Sequence, residues 1–571
     1  MRRALTLAGA LVVALGLAAA AAAGSPPLGA VPLATPAAEP RLSEEEAVDA
    51  FLAHPKVARW LERYPSGPPT DATFGDAGTW TVKVWSGDAG EIARGLVADA
   101  DGSVTEAWTG PQVAWQMARG RPGAFGGKLL TSWPVWLGLS AIFLLGLADL
   151  RRPLSLHTLD LLVLLSFGAS LAFFNRGEVF ESAALAVPPL AYLLARTAWI
   201  GFRRDARPVA ALPRWPVWAL AAATLFLVGF RVGLNVENPR TVIDVGYAGV
   251  IGADRLLDGR APYGAMPDDG GRACAPPRSD GRVRERIQDN GRCESTNPRG
   301  DTYGPVAYLA YVPAVLAFGW TGRWDDLPAA HAASIGADLL VLLGLVLVGR
   351  RLGGARLAAA LAFGWAAYPF TTYALLSNTN DALMAVFLVW GFWLASSPAA
   401  RGAGIALAGW TKFAALLLAP LWLTYRSRLR PLPLARFAAG FSVATLAAFS
   451  ILLLEPSLWT ALESFWSRTL GFQLGRESPF SIWGWGQYDA AGIPDLASLQ
   501  TVVQVGAIVL AGVVAVLPRD KGPLELAALT AAVLLAVQLS LTHWFYLYLP
   551  WMLPFALLAL LAPRVRPAIE R

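Results

Sequence analysis

The stretch AGIALAGWTKFAALLLAPLWLTY, residues 403–425, is apolar throughout except at its centre, where Thr411 and Lys412 interrupt it. Its length matches that of a helix that crosses a bilayer core, which takes about 20 residues. Similar apolar segments, separated by short charged stretches, recur from residue 131 to residue 562. The placement of residues 403–425 in the membrane therefore decides the sidedness of the segments that follow.

The composition excludes a soluble protein. Of the 571 residues, 55% are hydrophobic and 15% are charged, whereas a soluble domain has about 25% charged residues. The apolar segments lack the alternation of barrel strands, so the sequence predicts an all-α polytopic membrane protein, a helical bundle. A chain with only two cysteines is not a disulfide-rich scaffold.

Basic residues give the chain a formal net charge of +6, yet their distribution does not indicate nucleic-acid binding. They stand mostly in short clusters at the ends of apolar segments, a pattern typical of cytoplasmic loops. These clusters are Arg151 with Arg152, Arg203 with Arg204, Arg350 with Arg351, and residues 426–430.

The first residues have the order of a secretory signal. MRR at residues 1–3 precedes an Ala/Leu/Val run to Ala23 and then the sequence GSPP. Residues 1–24 are therefore predicted to be a signal peptide or a signal anchor, and either one exports the chain from residue 25 onward. Residues 25–40 form a Pro/Ala-rich linker.

Residues 41–128 have a soluble composition. Ser43 and Glu46 have the spacing of a capping box that opens a helix, and strand-like runs follow at 79–85, 93–98 and 104–108. One helix followed by a small sheet loosely resembles the PepSY-type exported module. We expect an extracytoplasmic α+β domain with an accessory or docking role rather than a catalytic one.

An exported N-terminal domain fixes the sidedness of the first crossings. Three additional transmembrane helices within 129–213 would place their arginine clusters inside. The next apolar segment, 214–234, then places the loop that begins at residue 235 outside.

Two later segments leave a choice. If 305–320 and 403–425 each crossed once, the arginines at 350–356 and Arg401 would lie outside. If 305–320 is instead a juxtamembrane helix and 403–425 a pair of short helices broken near Lys412, every arginine cluster lies inside. We adopt the second arrangement, with 563–571 as a cytoplasmic tail. It gathers on the outer face the loops 235–330, 377–381, 455–499 and 542–544.

The outer loop 235–330 contains most of the polar motifs. Asp244 closes the sequence TVID, GRAPY occupies 259–263, and YGPV occupies 303–306. These motifs resemble the first outer loop of the GT-C superfamily of membrane glycosyltransferases, particularly glycosyltransferase family 87. That loop has an acidic residue, a Gly-x-x-Pro-Tyr turn and a helix start of the Tyr-Pro-Pro-Leu type, so Gly304 replaces its first proline. The resemblance covers residues 214–562, the GT-C-like core.

The resemblance implies transfer of a sugar from a polyprenyl-phosphate donor. Mannose is the first candidate for the sugar, and arabinose or another sugar is the alternative. A sugar hydroxyl is a poor nucleophile at neutral pH, so a carboxylate within hydrogen-bonding reach assists as a general base. Asp244 matches the acidic position of the family and is the expected base; the alternative is a capping or loop aspartate. Tyr247, Tyr263 and Tyr303 are expected to contact the acceptor or the sugar.

The sequence SNTNDAL at 377–383 resembles the Thr-Asp-Ala-Leu element in the second outer loop of GT-C enzymes. This implies that Asp381 binds the acceptor, a metal or the sugar of the donor. The alternative is a helix N-cap, a position that favours aspartate. A divalent cofactor, Mg or Mn, is left open.

Lys412 lies alone in an apolar stretch, where an ammonium costs at least about 2.5 kcal/mol unless it has a partner or a wet cavity. The family places a lysine at a similar helix break, which implies contact with the lipid-linked phosphate. His543, at the outer end of an apolar run, is expected to donate to the same phosphate. The alternatives are a lysine that snorkels to the interface and a histidine within an interfacial aromatic belt.

Three further residues, one acid and two cysteines, are candidates for structural contacts. Asp338, inside the segment 331–349, either lines a cavity or pairs with an arginine. Cys274 and Cys293 lie in one exported loop and are expected to form a disulfide.

The leading hypothesis is a glycosyltransferase of a bacterial plasma membrane that acts on an envelope glycolipid, glycan or protein at the outer face. A transporter or lipid flippase is the main alternative, and it would favour internal repeats with paired breaks. A non-catalytic envelope assembly factor is the third possibility.

Overall fold

The computed structural model describes residues 40–75, 78–117, 125–203, 213–264, 266, 285–287, 293–295, 300–324, 326–426 and 430–562. The predicted signal segment, nearly all of the linker and the tail lie outside these residues. The predicted disulfide also lies outside them, because Cys274 is not described and only the backbone of Cys293 is.

A small α+β domain comes first, with its own core around Phe51, Val82 and Ile92. The capping box is confirmed, since Ser43 and Glu46 bond reciprocally at the start of the first helix. The strands form an antiparallel sheet in sequence order. The sequence does not predict its first strand, TDATFG, which has only two apolar residues, Ala72 and Phe74. The elements are α1 (Glu44–Leu52), α2 (Pro55–Leu61), β1 (Thr70–Gly75), β2 (Thr79–Ser86), β3 (Gly90–Ala98) and β4 (Val104–Thr109).

The remainder is helical, apart from a two-stranded ribbon, and seven helical segments are long and apolar enough to cross a membrane. This confirms a polytopic helical protein. The elements are α3 (Pro111–Met117), α4 (Gly127–Thr131), α5 (Trp133–Leu147), α6 (Leu156–Phe174), α7 (Val179–Phe202), α8 (Val217–Glu237), α9 (Asp244–Leu257), β5 (Glu285–Ile287), β6 (Cys293–Ser295), α10 (Pro305–Leu309), α11 (Val312–Phe318), α12 (Pro328–Ala367), α13 (Pro369–Leu376), α14 (Asp381–Trp393), α15 (Pro398–Gly409), α16 (Ala419–Thr424), α17 (Pro431–Phe449), α18 (Leu458–Trp466), α19 (Phe472–Leu474), α20 (Ala497–Val516), α21 (Pro523–Ser540) and α22 (Leu549–Leu561).

Helix α12 is a hairpin of two helices. Gly353 and Gly354 interrupt its helical backbone, and Gly354 has a φ of 71°, which favours glycine. The two arms are in close contact, since a Cβ on Gly349 would lie 2.5 Å from the Cα of Ala358. The chain therefore turns back beside Arg350 and Arg351, as the charge pattern predicts.

Residues 403–425 also form a hairpin, which consists of α15, a 3-10 helix at Phe413–Leu418, and α16. At its base, Arg401 Nε donates to the carbonyl of Trp422 at 2.9 Å, and the guanidinium lies 5.4 Å from the ring centre of Tyr425. Both ends of the segment thus lie at one end of the bundle, and the tip lies at Lys412. The predicted break is confirmed.

Residues 305–318 form the two short helices α10 and α11, neither of which is long enough to span a bilayer. Before them, the amide of Val306 donates to the carbonyl of Trp410 at the hairpin tip, at 3.1 Å. After them, Trp324 stacks on Tyr247 with ring centres 5.0 Å apart. Tyr247 lies in the first turn of α9, which packs on the loop after α13, so the segment starts and finishes at the same end of the bundle.

The predicted outer loops meet at this end, which we call the loop end. Four contacts between loops distant in sequence establish it: Arg468 Nε with Asp301 Oδ2 at 2.8 Å, the Ala261 amide with Glu455 Oε1 at 3.0 Å, Ser478 Oγ with His543 Nδ1 at 2.8 Å, and the Ile243 amide with the Ser377 carbonyl at 3.2 Å. The arginines at the α12 turn and at the base of the 403–425 hairpin mark the opposite end, which we call the arginine end.

The α+β domain is docked at the loop end. The Tyr64 hydroxyl donates to the carbonyl of Tyr488 at 2.9 Å, and Arg63 Nη1 donates to the carbonyl of Ala491 at 2.7 Å. Tyr488 and Ala491 belong to the loop between α19 and α20, and Ser478 of that loop bonds to His543. The α+β domain therefore lies beside a loop that contacts one of the predicted site residues.

Asp338 pairs with an arginine inside the bundle, which resolves the choice left by the sequence. Its Oδ1 accepts from Arg231 and, at 2.7 Å, from the indole of Trp365. Arg231 also approaches the carbonyl of Trp365 at 3.3 Å, near the break between α12 and α13 that leaves helix carbonyls without helical partners. The pair joins α8, α12 and α13 and has a structural role.

Replacing Asp338 with asparagine should leave Arg231 buried without a counter-ion. Breaking one partner of a buried pair costs about 3–5 kcal/mol, because the remaining charge is uncompensated. We expect a clearly lower midpoint of thermal unfolding in detergent micelles for Asp338→Asn. The double variant Asp338→Asn/Arg231→Met should recover most of the loss; an unchanged midpoint for the single variant would contradict the pairing.

Candidate active site

Lys412 occupies the tip of the 403–425 hairpin. Helix α15 ends at Gly409, and Lys412 itself has an extended backbone (φ −139°, ψ 116°) before the 3-10 helix begins. Its side chain is nearly buried, at 9% exposure for the residue. The ammonium lies 3.2 Å from Oδ1 of Asp381. The partner that a nearly buried ammonium requires is therefore an acid at the start of α14.

Asp381 holds the lysine from the first turn of α14. Its Oδ1 also accepts from the indole of Trp551 at 2.9 Å, and its Oδ2 accepts from the hydroxyl of Thr379. The N-cap of α14 is Asn380 rather than Asp381, and Asp381 is the first helical residue. The N-cap alternative for Asp381 is wrong, and the immediate role of this carboxylate is to neutralise and orient Lys412.

Aromatic rings surround the ammonium of Lys412. It lies 4.5 Å from the ring centre of Tyr303, 5.8 Å from Tyr548 and 5.9 Å from Trp551. Tyr548 and Trp551 are three residues apart at the start of α22 and stack with ring centres 4.2 Å apart. Ring faces stabilise a cation that has lost much of its hydration. We refer to Lys412, Asp381 and these three rings as the lysine cage.

Tyr303 reaches the lysine cage because the chain approaches the hairpin tip very closely at Gly304. A Cβ at Gly304 would lie 2.0 Å from the carbonyl oxygen of Trp410. Glycine at this position, where the family pattern has proline, therefore has a steric reason. Tyr263 also holds this segment in place, because its hydroxyl donates to the carbonyl of Tyr303 at 3.1 Å.

Asp244 lies beside this cage. It is the first residue of α9, half-buried, and within the described part of the chain its carboxylate has neither a hydrogen bond nor an ion pair. Its charge acts on the Lys412 ammonium and on the Tyr303 phenol. Burial, and next the charge of Asp244, raise the pKa of Tyr303. An accessible carboxylate near a cation has the character expected of a base that meets a substrate.

The loop that connects α13 and α14 positions both Asp381, which follows it, and Asp244, at the start of α9. Asn378 has a left-handed backbone (φ 52°), a conformation that asparagine adopts more readily than most residues. Asn235 Nδ2 bonds to the Asn378 side chain at 2.8 Å and to the carbonyl of Leu375 at 2.8 Å. A Cβ at Gly246 would lie 2.5 Å from the carbonyl oxygen of Asn378, so the start of α9 packs tightly against this loop.

His543 is half-buried and also lies beside the cage, with its ring centre 6.3 Å from that of Tyr548. Its Nδ1 is 2.8 Å from the hydroxyl of Ser478. Burial, followed by the positive charges of Arg476 and Lys412, lowers the pKa of His543 well below its usual range. The imidazole is therefore neutral at pH 7 and able to donate one hydrogen bond without adding charge.

The structure brings together four of the predicted site residues, Asp244, Asp381, Lys412 and His543, and adds Tyr303. Tyr247 and Tyr263 contact other groups instead: the ring of Tyr247 stacks on Trp324, and the hydroxyl of Tyr263 donates to the carbonyl of Tyr303.

Sequence reasoning missed Arg476, Ser478, Tyr548 and Trp551. The spacing of Tyr548 and Trp551 after His543 places both rings on one helical turn and could have identified them. Arg476 and Ser478 lie in an irregular loop and have no pattern that would reveal them.

The donor set of the lysine cage does not fit a divalent cation. Among the residues that the structure describes, no group of three or more His, Cys, Asp or Glu side chains is arranged to hold a metal. Asp381 has donors on both oxygens and an ammonium 3.2 Å away, whereas Mg²⁺ or Mn²⁺ needs free oxygen lone pairs. No step is assigned to Mg or Mn.

Comparisons with protein-family models, with curated proteins and with solved structures found no match to this chain.

The close approach at Gly304 can be tested by adding one methyl group. Gly304→Ala should displace Tyr303 from the hairpin tip and lower the free energy of unfolding by about 1–3 kcal/mol, the usual cost of overpacking. Gly336→Ala is the matched control, because Gly336 is helical and a Cβ there has nothing within 4 Å. Thermal unfolding in micelles is the measurement; equal midpoints for the two variants would contradict the contact.

Proposed function

We propose that this chain is a membrane glycosyltransferase of the GT-C type, which transfers a sugar from a polyprenyl-phosphate donor to an envelope acceptor. Mannose is the leading candidate for the sugar, and the acceptor is a glycolipid, a glycan or a protein. The reaction would occur at the extracytoplasmic face of a bacterial plasma membrane. The motif resemblance to glycosyltransferase family 87 and the geometry of the lysine cage support this assignment.

One observation carries the proposal: a nearly buried ammonium at a helix break lies near an accessible carboxylate that has no partner of its own in the described chain. The ammonium of Lys412 suits the phosphate of a lipid-linked donor, which enters with its negative charge at membrane depth. The carboxylate of Asp244 suits a hydroxyl that must lose a proton. Sugar transfer from a phosphate requires a cation for the leaving phosphate and a base for the attacking hydroxyl, and these two groups have those charges.

The donor phosphate would be bound on the positive side of the site. Arg476 acts electrostatically on both Lys412 and His543, so a second cation faces the same region. His543 is neutral, and Ser478 orients its Nδ1. Lys412 and Arg476 thus offer two positive charges to a phosphate, and His543 offers one neutral hydrogen-bond donor.

The reaction follows from these positions. The acceptor hydroxyl attacks the anomeric carbon as the bond from that carbon to the phosphate oxygen breaks, and the polyprenyl phosphate leaves with the bonding electron pair. Asp244 takes the hydroxyl proton, so the step is balanced without another reactant and inverts the anomeric centre. Lys412 and Arg476 stabilise the charge that develops on the leaving phosphate. Negative charge near the sugar favours the oxocarbenium character of the transition state.

Removal of the base should abolish transfer without unfolding the protein. Asp244→Asn is expected to lower kcat by about 10²- to 10⁴-fold, the range for a lost general base. The assay is transfer from radiolabelled polyprenyl-phosphate mannose in membranes that contain the protein. Asp258→Asn is the control, because Asp258 is exposed at the other end of the same helix and should keep full activity.

Two results of this assay would contradict the proposal. Full transfer by Asp244→Asn would remove Asp244 as the base. Absence of transfer by the wild-type protein with mannose and arabinose donors would favour lipid transport or envelope assembly.

The contribution of Lys412 to donor binding can be measured separately. Lys412→Met should raise KM for the donor by about 10- to 100-fold, as for loss of a charge-assisted hydrogen bond, and Lys412→Arg should restore part of the affinity. Lys521→Met, which removes a lysine between α20 and α21, should leave KM unchanged. A normal KM for Lys412→Met would exclude phosphate binding by this residue.

A further inference from the structure

A second cavity lies at the arginine end of the bundle, remote from the lysine cage. It has a volume of about 50 Å³ and lies between the turn of α12, the end of α14, the end of α16 and the start of α21. Its floor is apolar and includes the buried residues Val348, Phe392 and Ala395. Its rim includes Arg351, Tyr425 and Arg426, and both arginines are exposed.

The rim arginines lack acidic partners. Arg351 Nη1 donates to the carbonyl of Trp393 at 2.7 Å, and the guanidinium of Arg426 lies 5.9 Å from the ring centre of Tyr425. Within the described chain neither arginine forms an ion pair. Glu525 is the acid whose charge acts on Tyr425, and its Oε2 already accepts from the amide of Gly522 at 2.9 Å. The mouth of the cavity therefore carries surplus positive charge.

A third arginine lies beneath the rim. Arg401 is 1% exposed; its Nε and Nη1 donate to the carbonyls of Trp422 and Ala395, the latter at 2.6 Å. Its Nη2 has no acceptor among the described residues. Its guanidinium packs on Tyr425, the same ring that Arg426 approaches. A buried guanidinium without a carboxylate is costly, and a nearby anion would offset that cost.

Backbone geometry reinforces the arrangement at the rim. Arg426 has a φ of 56°, a left-handed conformation that is uncommon for a residue with a long side chain. Such strain persists where the surrounding structure or a ligand favours it.

The geometry points to a binding site for the phosphate of an anionic membrane phospholipid. The cavity lies where several apolar helices end, so a ligand there has its polar group at the arginines and its acyl chains along the helices. Basic pockets between transmembrane helices at the cytoplasmic surface bind anionic headgroups. The site lies at the base of the hairpin whose tip carries Lys412, and it is independent of the proposed transferase reaction.

Lipid titration of the full-length protein in a neutral detergent tests this site. Phosphatidylglycerol should raise the midpoint of thermal unfolding saturably, and native mass spectrometry should detect one tightly retained anionic lipid. Phosphatidylcholine should do neither. Glycerol 3-phosphate, a soluble source of the same phosphate chemistry, should bind at least about tenfold more weakly, because it lacks acyl chains whose buried CH₂ groups each add to the affinity.

Matched arginine variants locate the lipid. Arg351→Gln/Arg426→Gln should weaken phosphatidylglycerol binding about tenfold or more, since each arginine near an anionic headgroup contributes to binding. Arg350→Gln/Arg356→Gln removes the same charge from exposed residues that do not line the cavity, and it should bind normally. The proposal is overturned by equal losses in the two double variants, by no loss in the first, or by equal binding of phosphatidylcholine. Stronger binding of glycerol 3-phosphate would assign the cavity to a soluble phosphate instead.

Discussion

The ion pair between Lys412 and Asp381 is the contact on which the arrangement of the loop end depends. A nearly buried ammonium must be neutralised and given other favourable contacts, or the hairpin tip would move toward water. These contacts come from separate parts of the chain: the acid from the start of α14, and the rings from the segment before α10 and from the start of α22. One charge therefore fixes the relative positions of a helix break and three helix starts.

The bundle contains charges of two kinds, which their surroundings distinguish. Arg231 of α8 and Asp338 of α12 are almost completely buried and are paired with each other, so they stabilise the bundle. Asp244 is half-buried and has no partner in the described chain. A charge inside a membrane protein is often taken as functional, yet here only exposure and the absence of a partner separate the candidate base from a structural acid.

The 403–425 hairpin connects the two ends of the molecule. Arg401 closes its base beside a basic cavity, and Lys412 occupies its tip beside the candidate site. Because the segment turns inside the bundle, backbone groups at its tip are bonded to other parts of the protein, as irregular backbone away from water requires. The carbonyl of Trp410, for example, accepts from the amide of Val306.

The sequence alone determined the helical membrane class, the turn of the chain beside Arg350 and Arg351, the break near Lys412, and the gathering of Asp244, Asp381, Lys412 and His543 at one end. Hydropathy and arginine clusters are local properties with a direct physical meaning in a bilayer, so they can be read without a structure. Only the tertiary structure decided which charge pairs with which, because pairing depends on distances between segments far apart in the chain. Asp338 with Arg231, Asp381 with Lys412, the rings of Tyr548 and Trp551, and the packing of Tyr247 and Tyr263 away from the site all follow from three-dimensional contacts that no spacing in the sequence records.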